Sequence, residues 1–246
     1  MSPTKAIILA AGSGSRLRPL TSDVPKCLLE VSGRTLLEHQ LDALGRCGIT
    51  DVVAVVGFRG DRIRQKAGAA LRYIENERFA STNSLYSLWL AREELAHGFC
   101  VLNSDVLATP RLFERLLTAA AADGVLVELG RDFEPEDMKV TLLDGRVVDF
   151  GKDLPADRAQ AHNVGVAKFG AAGATRLVRC LDRLVASGHE NDWAPVAFRA
   201  FAGESPLAAI ATDGLPWIEI DYPADLARAR AEVAPAIEAL EHAVSA

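Results

Sequence analysis

Two apolar patterns alternate along the first half of the chain. Ala6-Ile7-Ile8-Leu9-Ala10-Ala11 is a short unbroken apolar run, the pattern of a strand buried on both faces. Similar runs recur at Asp51 to Val56, Leu71 to Glu75, Phe99 to Leu102 and Gly124 to Leu129. Between them, Leu36, Leu37, Leu41 and Leu44 return at helical spacing, and Gly45 and Gly48 close that stretch. Further helices are expected over residues 59–70 and from Thr109-Pro110 to about Ala121, the second with Thr as N-cap and Pro at its first position. Leu28 to Val31 reads as a short strand or extended link ahead of a Ser32-Gly33 turn. This alternation predicts an α/β fold: a doubly wound, mostly parallel mixed sheet with right-handed crossovers.

The second half changes character. Met138 to Leu143 and Arg146 to Phe150 flank Asp144-Gly145, a favoured hairpin turn. His162 to Phe169 is a further strand, Ala171 to Ala186 a helix and Trp217 to Ile220 a last strand. Helices begin again at Pro223.

The first apolar run ends in Gly12-Ser13-Gly14-Ser15-Arg16. Glycines there let the backbone approach a ligand, and successive N–H groups in such a turn cradle phosphate oxygens. Arg16, Arg18 and Lys26 gather cations beside it in a chain that is negative overall, as a triphosphate site requires. A P-loop is excluded because no Lys-Ser/Thr pair follows at its spacing. The dinucleotide fingerprint is excluded because Leu17 stands where its third glycine belongs.

Taken whole, the segment resembles the signature G-x-G-[ST]-R-(x)n-P-K of sugar-phosphate nucleotidyltransferases and their cytidylyltransferase relatives. Gly12, Gly14, Ser15, Arg16, Pro25 and Lys26 match it. The resemblance implies a Rossmann-like fold and a nucleoside triphosphate held by Ala10, Ala11, Gly12, Ser13, Gly14 and Ser15. Arg16 and Lys26 would act on its phosphates or on those of the second substrate. Asn76 to Leu90 lacks the glycine-rich segment usual in sugar-nucleotide-forming members; it is similar to the asparagine-bearing entry of CTP:phosphocholine cytidylyltransferases and relatives acting on small phosphomonoesters or phosphonates. Thr82, Asn83 and Ser84, a helix cap at the sheet's carboxyl edge, would then read the base. The implied organisation is one domain over 1–246: a nucleotide-binding core (1–130), a small acceptor lobe (131–216) and a return to the core (217–246).

Asp105 ends the fourth strand, and Asp221 lies in W-I-E-I-D-Y-P-A-D-L, which resembles the family's closing segment. Taken alone, Asp105 also suits a turn and Asp221 a helix N-cap. By resemblance both are magnesium ligands, Mg2+ being an ion that takes one or two carboxylates and completes its shell with phosphate and water. Asp225 reads as a first-turn acid of the helix. Lys139, Lys152, Asp137, Asp192 and His162 are the acceptor candidates. The acids suit an amine-bearing phosphonate; the lysines and histidine suit an anionic one. The chain departs from the phosphocholine enzymes at Trp193-Ala194-Pro195, where a Tyr-Trp pair is expected, and at Asp137, aligned with an aromatic.

Composition narrows the partners. Of 246 residues, 49% are hydrophobic and 24% charged, an ordinary globular balance. With 27 Lys+Arg against 33 Asp+Glu the net charge is −6, which argues against nucleic acid or an anionic membrane and for a small anionic ligand at the basic loop. Cys27, Cys47, Cys100 and Cys180 form no C-x-x-C pair, as expected of free thiols in a reducing cytoplasm. No histidine pattern suits zinc. No signal peptide or apolar run near ~18 residues is present, so a cytoplasmic location is expected. Oligomeric state stays open. The sequence therefore predicts a magnesium-dependent cytidylyltransferase joining CTP to a small phosphonate or phosphomonoester. The competing readings are transfer of another nucleotide to a sugar 1-phosphate, a glycosyltransferase, for which Asn103-Ser104-Asp105 lacks the usual Asp-x-Asp, and a nucleotide-sensing module.

Overall fold

A computed structural model describes residues 3–130 and 132–245. In chain order the first elements are β1 (Lys5–Ala10), β2 (Glu30–Val31), β3 (Arg34–Thr35), α1 (Leu36–Arg46), β4 (Asp51–Val56), α2 (Gly60–Ala67), β5 (Arg72–Glu75) and α3 (Ser84–Leu90). Then come β6 (Phe99–Asn103), β7 (Val106–Ala108), α4 (Pro110–Thr118), β8 (Gly124–Leu129), β9 (Lys139–Leu143), β10 (Arg146–Gly151), β11 (Ala161–Phe169) and α5 (Ala171–Ala186). The last are α6 (Ala194–Ala202), β12 (Ala208–Ala211), β13 (Trp217–Glu219), α7 (Pro223–Arg228) and α8 (Ala234–Ser245).

One continuous sheet runs β5-β4-β1-β6-β11-β8-β12-β10-β9. Its first four strands are parallel, as is β8 with β12. β11 runs antiparallel to both its neighbours, and the β9–β10 hairpin continues antiparallel from β12. The sheet is therefore mixed as expected, with parallel pairing confined mainly to the β5-to-β6 half. The unbroken apolar runs follow from two-sided burial. Ile7, Val53, Val55 and Val101 pack on one face with side chains of α3, α5 and α6; Ile8, Ala54, Val56 and Leu102 pack on the other with those of α1 and α4. A third cluster joins Leu17, Leu29 and Val31, beside the glycine loop, to Ile218, Ile220 and Leu226. This cluster returns the C-terminal segment to the loop.

Local chemistry sets the helix starts. The Thr35 hydroxyl accepts from the Glu38 N–H, while the Glu38 carboxylate accepts from the Thr35 N–H, a reciprocal cap on α1. Asp225 accepts the N–H groups of Asp221 and Tyr222 at 3.0 and 2.8 Å, the first-turn role expected of it. The expected helix over 59–70 breaks at Gly68 into a 3-10 turn, and α4 stops at Thr118 rather than Ala121. α6 and β12 lie in a stretch for which the sequence patterns predicted no element. Among the described residues, no helix is long and apolar enough to cross a membrane.

Candidate active site

β1 delivers the chain into the glycine loop at the carboxyl edge of the parallel strands, where ligands of open α/β sheets bind. Gly14 turns left-handed there (φ 60°), a conformation that favours glycine, and its carbonyl accepts from the Thr21 hydroxyl at 2.7 Å. A 3-10 turn, Ser15–Leu17, then projects Arg16 while burying Leu17. A second, Lys26–Leu28, starts after Pro25 and buries Cys27, which leaves Lys26 facing the loop.

The two aspartates meet through the short β7–β13 ladder. Its register pairs Trp217 with Ala108, Ile218 with Leu107 and Glu219 with Val106, and the Ile220 N–H continues it to the Asp105 carbonyl. Asp105 and Asp221 are thereby brought to one point, and Lys26 stands between them. Its ammonium lies 2.6 Å from Asp105 Oδ2 and 2.5 Å from Asp221 Oδ1. Burial opposes that charge, yet the two carboxylates outweigh it and hold the Lys26 pKa above its ordinary value. Arg16 reaches Asp221 Oδ2 at 3.0 Å and lies over the Tyr222 ring. Asp105 Oδ1 is buried and meets no hydrogen-bond partner.

A third acid completes this cluster, and sequence reasoning missed it. Glu219 ends β13 two residues before Asp221, and both line the same cavity. Burial, then repulsion from Asp105 and Asp221, pushes its carboxyl up to about 8, while the Asn103 side chain hydrogen-bonds to it. Asn103 is seated in turn by Gly165 of β11: a Cβ there would stand 2.8 Å from Asn103 Nδ2, and φ is +83°. An acid inside the otherwise apolar Trp-Ile-Glu-Ile strand was the available signal.

A cavity opens beside these groups. Ala11, Gly12, Gly14 and Ser15 form one wall, whereas Ala10 is buried within β1 and Ser13 stays off the lining. Thr82, Asn83 and Ser84 form the opposite wall at the start of α3. That helix start is already partnered: Asn83 and Leu85 N–H groups donate to the Glu190 and Asp192 carbonyls, and the Ser84 hydroxyl accepts from the Ala194 N–H. Deeper in the same wall lie Asn76 and Ser87, which the sequence reading did not single out.

The far end carries Lys152, Glu136, Met138, Trp193 and Pro195. Lys152 pairs with Glu136 at 2.9 Å and sits over the Trp193 ring at 4.7 Å. The other acceptor candidates, Lys139, Asp137, Asp192 and His162, lie off the wall of this cavity. Lys139 is buried, its ammonium donating to the Lys152 carbonyl, so it props up the backbone that presents Lys152. Asp137 accepts from the Glu134 N–H at 2.6 Å and pairs with His162 at 3.2 Å; His162 packs on Phe133. Asp192 is held by His189 at 2.7 Å.

Among the described residues, no three acidic, histidine or cysteine side chains are grouped tightly enough to hold a metal unaided. A hard cation that takes part of its shell from substrate phosphates needs less. The orphaned Asp105 oxygen and the neighbouring carboxylates fit such an ion.

Known proteins resemble this chain in sequence and fold. The choline-phosphate cytidylyltransferase of Streptococcus pneumoniae is 36% identical over 191 residues, covering 76% of this chain and 80% of that protein. The CMP-5'-(3-aminopropyl)phosphonate synthase of Streptomyces rubellomurinus is 32% identical over 256 residues, covering 95% of this chain but only 39% of that longer protein. Among solved structures, the CTP:phosphocholine cytidylyltransferase of Streptococcus pneumoniae superposes with a TM-score of 0.76 at 28% identity, over 93% of this chain and 97% of that one. With a family model matching residues 6–243, the chain belongs to the nucleotidyltransferases of the MobA-like NTP transferase domain family.

Proposed function

We propose that the protein transfers CMP from CTP to a small phosphonate or phosphomonoester, releasing pyrophosphate. The observation that carries this reading is the Lys26 ammonium bridging Asp105 and Asp221 beside a glycine loop. No protein nucleophile is needed, because the acceptor's own phosphoryl oxygen attacks the α-phosphorus. Catalysis then rests on position and charge. In this scheme Arg16 holds the departing β- and γ-phosphates, and Lys26 neutralises charge where the acceptor meets the α-phosphate. Backbone N–H groups at Gly12 and Gly14, which line the cavity, face the triphosphate. Asp105 and Asp221 would hold a magnesium ion, which would supply Lewis-acid stabilisation of the phosphoryl oxygens. The base lies against the Thr82–Ser84 wall, and the Lys152–Trp193 end of the 131–216 region takes the acceptor.

The relatives named above support cytosine as the base and a phosphate or phosphonate as the acceptor. The test is pyrophosphate release with magnesium, crossing the four NTPs with phosphocholine, aminoalkyl and carboxylated phosphonates, polyol phosphates and sugar 1-phosphates. Release with CTP and one small phosphoryl acceptor is the expected result. Release with UTP or dTTP and a sugar phosphate overturns the base assignment. Nucleotide binding without release in any pair overturns the enzymatic reading.

A further inference from the structure

The wall of the cavity behind the α3 cap contains a buried polar relay that the catalytic cluster does not use. Asn76, 1% exposed, follows β5. Its carbonyl Oδ1 accepts from the Arg78 N–H at 3.0 Å, which fixes the orientation of the amide. The Nδ2 group must then face the other way, where it donates to Thr82 Oγ1 and Ser87 Oγ, each at 3.1 Å. Thr82 passes its own hydroxyl hydrogen to the Arg78 carbonyl at 2.8 Å. Its oxygen therefore keeps only a lone pair for a ligand. Ser87, 3% exposed, receives the second Asn76 hydrogen, and no acceptor for its own hydroxyl hydrogen is recorded among the described residues. Both residues line the cavity, together with Ala11 and Phe79.

We infer that Asn76 polarises these two hydroxyls into one acceptor and one donor, and that this pair selects cytosine over uracil. The inference rests on the base position given under Proposed function. Cytosine presents an amino donor at N4 beside an acceptor at N3; uracil presents the reverse, an acceptor at O4 beside N3–H. Thr82 suits the amino group and Ser87 suits N3. To hold uracil, Thr82 must withdraw its hydrogen from the Arg78 carbonyl and Ser87 must turn its hydrogen away, with no acceptor waiting for it. Buried groups left unpaired in this way give ~10–100-fold discrimination. Asn76 is thus a positioning residue, acting through two hydroxyls.

The experiment is calorimetric titration of CTP and of UTP, with magnesium and without acceptor, into wild type, Ser87→Ala and Asn76→Asp. An aspartate at 76 still accepts from the Arg78 N–H but also accepts from both hydroxyls, which removes the donor that N3 needs. The expected results are ~10-fold weaker CTP binding in Ser87→Ala and a CTP/UTP ratio falling toward one in Asn76→Asp, partly through tighter UTP binding. A merely structural role would weaken both nucleotides alike and leave the ratio unchanged. Thermal melts identify misfolding in Asn76→Asp, and Ser87→Ala, which removes one buried hydroxyl, then carries the test alone through its CTP/UTP ratio. A wild-type CTP preference that survives in every folded variant overturns the relay. A wild type that does not prefer CTP overturns the cytosine reading itself, and the relay with it.

Discussion

Lys26 sits where two opposite demands meet. Its ammonium joins Asp105 to Asp221, and without it three carboxylates would face one another across a few ångströms of buried space. Losing a group that stabilises transition-state charge costs ~10²–10³ in rate. Lys26→Ala and Asp105→Ala are each expected to lower pyrophosphate release by that factor, and near-normal turnover in either would remove the assigned roles. Glu219 yields a pH prediction. Its folded value of about 8 lies above the ordinary glutamate value of 4.5, so the fold keeps a proton that the unfolded chain has lost between those limits. Stability from this group is complete below about pH 4.5 and falls as pH rises toward 8. Glu219→Gln should therefore melt higher than wild type at pH 8 by a margin that shrinks toward pH 5 in metal-free buffer; an equal margin at both pH values refutes the assignment. Asp105, Asp221, Arg16 and Lys26 were legible because motif residues carried them. Glu219, Asn76 and Ser87 were not, because an acid in a strand or a serine in a helix shows its role only when the fold brings it partners.

Elements aim these residues, and a few backbone positions control the aim. Gly165 interrupts the register of β11 against β8, and its missing side chain gives Asn103 room to hold Glu219. Gly165→Ala combines a positive φ with a contact under 3.0 Å, so it should lower stability by ~1–3 kcal/mol and reduce pyrophosphate release as well. Chemical denaturation and activity at saturating substrate check the two halves of that expectation. Thr35→Ala, which removes the reciprocal α1 cap, should cost ~1 kcal/mol in the same denaturation assay and leave activity nearly unchanged. The sequence patterns located β4, β8 and α5 at the bounds observed, because two-sided burial and clear turn residues mark them. They missed α6 and β12. α6 opens on Ala194-Pro195 after the 189–193 turn and packs an apolar face onto β10, while β12 is a four-residue strand whose partner β8 is far away in sequence. Neither local periodicity nor local turn chemistry announces such elements.

At the scale of the molecule, one carboxylate ties the two ends of the cavity together. Glu136 Oε2 meets Arg16 from the glycine-loop end at 3.3 Å and Lys152 from the hairpin end at 2.9 Å, with Lys152 held over Trp193. Lys152, then Arg16, keep the Glu136 carboxyl below its ordinary range. Both cations line the cavity in which the reading above puts the acceptor's phosphoryl group. Glu136 thus stands as an anion between cations that a phosphoryl dianion would also seek, and binding requires the substrate to displace it. Glu136 is exposed, so this pairing belongs to the weak, solvent-screened class of surface ion pairs, and its removal should change affinity by only ~2–5-fold. Glu136→Gln is expected to lower the KM for the acceptor by that factor while kcat stays within about twofold, because the displaced contact is absent from the transition state. Lys152→Ala should raise the same KM. Steady-state kinetics with the acceptor selected by the pyrophosphate panel separate these outcomes. A Glu136→Gln enzyme with a higher acceptor KM would instead assign that carboxylate to recognition of a cationic group on the acceptor.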